Sequence, residues 1–79
     1  MRHHIFSQTP IGDNHFRVEL ELQGSDPFER AAITKRQTQG HEPTVDNYLQ
    51  YNLGEFQCVE VLSQQGPRFV IKAIYSSGW

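Results

Sequence analysis

One cysteine, Cys58, stands in 79 residues, so no disulfide can close within this chain. The four histidines, His3, His4, His15 and His41, have none of the i, i+3 or i, i+4 spacings that preform a zinc site. Two usual supplements for a small core, disulfides and metals, are therefore missing. A lone thiol also fits a reducing compartment, so the cytoplasm is the expected location. No apolar run approaches the roughly 20 residues that cross a bilayer, and the stretch from Met1 to Gln8 lacks the apolar segment of a signal peptide. Neither membrane insertion nor secretion is expected. The six glycines, at 12, 24, 40, 54, 66 and 78, are scattered singly, which denies the chain a phosphate-cradling loop and leaves no cofactor to expect. Neither sign of charge dominates: seven basic against nine acidic residues give a net charge of −2. The global positive field that drives most sequence-independent nucleic-acid binding is absent.

What remains is a chain with 37% hydrophobic residues, including five Phe, three Tyr and one Trp, too rich for disorder and long enough for one domain spanning residues 1–79. Its clearest signal is the alternation from His15 to Gln23, where Phe16, Val18, Leu20 and Leu22 share one face of a strand. Arg2 to Gln8 predicts a shorter strand before it, with the turn spanning Thr9 to Asn14. Gln8 placed opposite His15 sets Ile5 against Val18 and His3 against Leu20 on the core side, with Phe6 on the outer face, whereas a one-residue slip reverses these faces. Ser25-Asp26-Pro27 opens a helix reaching about Gln39, with Glu29 in its first turn and Gly40 as its stop. Thr44 caps a second, whose Val45, Tyr48, Leu49 and Leu53 fall on one face before Gly54.

Glu55 to Ser63 and Arg68 to Ser76 read as a second hairpin around Gln64-Gln65-Gly66-Pro67. Pairing Ser63 with Arg68 brings Leu62 against Phe69, Glu60 against Ile71, Cys58 against Ala73 and Phe56 against Tyr75. The opposite face then pairs Val61 with Val70, Val59 with Lys72 and Gln57 with Ile74. The expected fold is α+β: a small four-stranded antiparallel sheet of two hairpins in ββααββ order, with one or two helices on one face. Its expected core is Phe16, Val18, Leu20, Leu22, Phe28, Phe56, Leu62, Phe69, Ile71 and Tyr75.

Candidate chemistry is sparse. Cys58 sits mid-strand with no local positive group to lower its thiol pKa, and the carboxylates Asp26, Glu29, Glu42 and Asp46 fall where helix starts ordinarily place them. No catalytic, cofactor-binding or metal residues are expected, and the chain reads as non-enzymatic. Apolar residues on both faces of the second hairpin, together with a terminal Trp79, point to association. Val59, Val61, Val70, Ile74 and Trp79 are the expected protein-interaction residues of a small regulatory, inhibitory or accessory subunit, meeting a protein partner or a second copy as a homodimer. The alternative is a nucleic-acid-binding accessory protein using Arg30, Lys35 and Arg36 on the first helix, with Tyr48 and Tyr51 as stacking candidates.

Overall fold

The computed structural model describes residues 1–35 and 44–75. Six elements follow in order: β1 (Arg2–Gly12), β2 (His15–Gln23), α1 (Pro27–Lys35), α2 (Thr44–Tyr51), β3 (Phe56–Gln65) and β4 (Arg68–Tyr75). The strands form one antiparallel sheet in the order β1-β2-β4-β3, so each hairpin contributes one edge strand and one central strand. This is the expected α+β architecture. Of the first helix expected to Gln39, residues 36–39 lie outside the described residues.

Local chemistry sets the boundaries. Asp13 and Asn14 hold φ of 52° and 63°, the paired left-handed conformation of a two-residue I′ hairpin turn, which Asx residues tolerate. That turn is tighter than Thr9 to Asn14, so β1 runs on to Gly12 and Ile5 pairs with Leu20 rather than Val18. The shift is by two, so Ile5 and His3 keep the predicted face. The second hairpin turns at Gly66, φ +60°, followed by Pro67.

Helix α1 begins with a side-chain cap. The Asp26 carboxylate accepts the Glu29 amide at 2.8 Å, Pro27 occupies the first turn, and the Glu29 carboxylate reaches back to accept the Ser25 amide at 2.9 Å and its hydroxyl. The Met1 amino group lies 3.1 Å from the same carboxylate. Those hydrogen bonds and the ammonium hold the Glu29 carboxyl down to about 2. Gly24 lets the helix fold back closely: a Cβ there would stand 2.7 Å from the Arg30 backbone nitrogen. At the other end the Gln64 side-chain amide donates to the carbonyls of Ile33 at 2.9 Å, Thr34 at 3.2 Å and Gly66 at 3.0 Å. It thereby ties the last described turn of the helix to the second hairpin.

Both helices cover one face of the sheet. Ile33 from α1, Val45 and Leu49 from α2, and Leu53 beyond it close over Val18, Leu20, Leu22, Phe56, Phe69, Ile71 and Ala73. Three expected core residues lie elsewhere: Phe28 is 87% exposed, Leu62 46% and Tyr75 50%. Phe28 and Ile33 are five residues apart, about 140° around a helix, so a helix that buries Ile33 turns Phe28 outward. Phe16 is half-buried, edge-on to Phe56 and Tyr75, and Tyr75 stacks on Phe56 with centroids 5.3 Å apart.

Candidate interaction surfaces

The central pair β2–β4 runs through seven consecutive partners without interruption, from His15↔Ile74 to Glu21↔Arg68. Each edge strand, in contrast, breaks register twice, between Ile5/Ser7 and Pro10/Gly12 in β1 and between Cys58/Glu60 and Val61/Ser63 in β3. The extra residue at each bulge is Phe6, Ile11, Val59 or Leu62. All four are apolar, and they make up four of the seven large hydrophobic side chains exposed among the described residues. A bulge interrupts the ladder that an incoming strand would copy, so both edges are blunted against backbone pairing while they display apolar side chains.

These bulges also re-sort the second hairpin. Phe56↔Tyr75, Gln57↔Ile74 and Cys58↔Ala73 pair as expected, but beyond Val59 the partners become Glu60↔Lys72, Val61↔Ile71 and Ser63↔Val70. Val61 therefore packs against the core on the helix-covered face, while Glu60 takes the outer one. Of the predicted interaction residues, Val70 and Ile74 are half-buried on the outer face, Val59 is 52% exposed at the β3 edge, and Trp79 lies outside the described residues. Val61 is thus not brought together with Val70 and Ile74.

The outer face itself is laced with charge. Arg17 donates to Glu19 at 2.8 Å, Ser7 donates to Glu19 at 3.2 Å, and the Arg68 and Glu21 side chains approach to 3.9 Å. The Arg17 and Ser7 hydrogen bonds lower the Glu19 pKa. Phe6, expelled onto this face, is capped by the Arg68 guanidinium 4.3 Å above its ring and by His4 edge-on at 4.8 Å. Such a face is suited to water, as one side of an antiparallel sheet commonly is.

Beside β3 the surface differs. A groove of about 220 Å³ runs between α2 and the strand, lined by Leu49, Cys58, Val59 and Val61 with Asp46, Gln50 and Glu60. Among the described residues no lysine or arginine lines it. A second groove, about 280 Å³, lies where Gly24, Arg30, Ile33 and Thr34 meet Leu22 and Pro67. No protein-family model, curated protein or solved structure matches this chain.

Of the residues considered for nucleic acid, the two described ones point apart. Arg30 borders the second groove and Lys35 ends α1, about 140° around the helix from it, while Arg36 lies outside the described residues. Tyr48 is half-buried and bonded to His3, whereas Tyr51 is exposed. Among the described residues no three His, Cys, Asp or Glu side chains gather in a metal-holding group, and no helix is long and apolar enough to cross a membrane. The bulges are the feature that sequence alternation missed, because one inserted residue leaves no local mark on the pattern.

Proposed function

We propose that this chain is a non-enzymatic protein-interaction module, a small regulatory, inhibitory or accessory subunit of the cytoplasm, that grips its partner along the β3 edge. The observation that carries the reading is the pair of bulges that turn Val59 and Leu62 out of the sheet beside the groove under α2. Blunted backbone pairing with displayed apolar side chains favours recognition by side-chain packing rather than by strand addition. The exposed side chains select the occupant: a partner segment with apolar side chains that pack against Val59 and Leu62, and a lysine or arginine whose head meets the exposed Glu60 between them.

The test uses tagged wild type and a Val59→Lys/Glu60→Lys double variant as baits, with nuclease-treated lysate and cross-linking read by mass spectrometry. The reading expects a stoichiometric partner that cross-links to β3 through a basic apolar segment, survives nuclease, and is lost with the variant while the melting temperature holds. A partner retained by the variant, or cross-linked elsewhere, overturns it. Loss on nuclease treatment of the wild type favours the nucleic-acid alternative through Arg30, Lys35 and Arg36.

A further inference from the structure

We propose that His3 and Tyr48 form an acid-sensitive clasp, which fastens α2 to the edge strand β1 while the imidazole is neutral and loosens the helix once the imidazole is protonated. The Tyr48 hydroxyl lies 2.8 Å from His3 Nδ1, and the two rings meet edge-on with centroids 5.7 Å apart. In the neutral Nε2–H tautomer, Nδ1 accepts the hydroxyl proton, and both rings are half-buried between the strand and the helix. Tyr48 is about one turn from Val45 and directly precedes Leu49, the residues that seat α2 in the core, so its anchorage and theirs move together.

The groups around His3 offer a positive charge there no anionic partner. On β1 itself the flanking residues are Arg2 and His4, and the Met1 ammonium, two residues away, is already matched by Glu29 of α1. Across the ladder β2 offers apolar Leu22 to His3, while its Glu21 stands opposite His4, a position whose side chain lies on the other face. From α2 comes Tyr48, and the Asp46 carboxylate of that helix borders the groove beside β3. Among the described residues no carboxylate lies within ion-pair distance of His3. Burial and the His4 charge accordingly lower the His3 pKa, and burial raises that of Tyr48.

The sign follows. A histidine whose folded pKa is lowered contributes stability above its unfolded value near 6.5, and that contribution is lost as pH falls from there through the folded value. Protonation makes Nδ1 a donor, so the bond to Tyr48 must reverse, and a half-desolvated cation gains no anionic partner. The clasp thus weakens on mild acidification without any change elsewhere in the core.

Hydrogen exchange on the intact chain at about pH 8 and about pH 5, corrected for intrinsic exchange chemistry, tests this in wild type, His3→Gln and His4→Gln. The expected result is a loss of protection across residues 45–51 and 2–5 at the lower pH in wild type and His4→Gln. Protection that does not depend on pH is expected in His3→Gln, whose neutral amide can still accept from Tyr48. Equal wild-type protection at the two pH values, or an undiminished loss in His3→Gln, overturns the clasp. An NMR titration of the wild-type His3 ring needs no variant: a midpoint at or above roughly 6.5, the value of an unstructured histidine, overturns it equally.

Discussion

Gln64 joins the second hairpin to the end of a helix 30 residues earlier, and removing its amide gives the sharpest test of how α1 is held. The side chain has two N–H protons and three acceptors, the carbonyls of Ile33, Thr34 and Gly66, at 2.9, 3.2 and 3.0 Å. Two of the three contacts are part-buried, and the one to Thr34 is exposed. Each net hydrogen bond contributes about 1 kcal/mol, with a further cost when a buried carbonyl is left unpartnered. Counting two effective bonds and discounting the exposed one gives about 1–2 kcal/mol for Gln64→Ala. For a domain of this size each kcal/mol corresponds to a melting shift of about 4–8 °C, so a fall of roughly 5–15 °C is expected. Gln64→Glu is the sharper variant, because it keeps the shape while aiming a carboxylate at three carbonyls; it should lose at least as much. Thermal unfolding by circular dichroism reads both, and hydrogen exchange should localise the change to residues 31–35. A Gln64→Glu variant that melts with the wild type would refute the bridge between hairpin and helix.

Gly24→Ala places a methyl group 2.7 Å from the Arg30 backbone nitrogen, with the Arg30 side chain at 2.9 Å, and should cost about 1–3 kcal/mol in urea unfolding. A midpoint within error of wild type would mean that α1 does not sit against that turn. Leu49→Ala, at a site 1% exposed, should cost about 2–5 kcal/mol, whereas Phe28→Ser, at 87% exposed, should leave the midpoint nearly unmoved. The reverse order would invalidate the orientation of both helices. Glu29 has a carboxyl lowered to about 2, so its contribution is complete above about 4.5 and disappears as pH falls from there towards 2. An acid titration of stability should therefore separate wild type from Glu29→Gln at neutral pH and bring them together near pH 2; parallel curves would contradict this.

The two hairpins, the two helices and their order were legible because each rests on a short-range signal: alternation in Phe16 to Leu22, the Ser25-Asp26-Pro27 start, the apolar spacing of Val45, Leu49 and Leu53. Pairing near the open end of the second hairpin, Phe56 with Tyr75 and Cys58 with Ala73, was legible for the same reason. The run Val59-Glu60-Val61-Leu62 was not. Read as an uninterrupted strand it buries Leu62 and exposes Val61, and two single-residue bulges invert that choice. The β3 edge groove was hidden with it, since its apolar floor includes Val61, which the plain alternation assigns to the opposite face. Phe28 was misplaced because helical content does not state which way a helix is turned. The side of β1 on which His3 lies could be read from the pattern, yet its meeting with Tyr48, 45 positions away, is a product of tertiary packing alone.

Strand order carries a consequence for synthesis. β2 and β4 are the two inner strands, and they are the first hairpin's last strand and the second hairpin's last strand. Val18, Leu20 and Leu22 find Phe69 and Ile71 only after nearly the whole intervening stretch has been made. A chain halted before Arg68 already carries both helices, yet without β4 nothing joins the first hairpin to β3 in one sheet. Residues 68–75 therefore close the sheet, and the long-range pairing that buries the first hairpin forms only once they have been made.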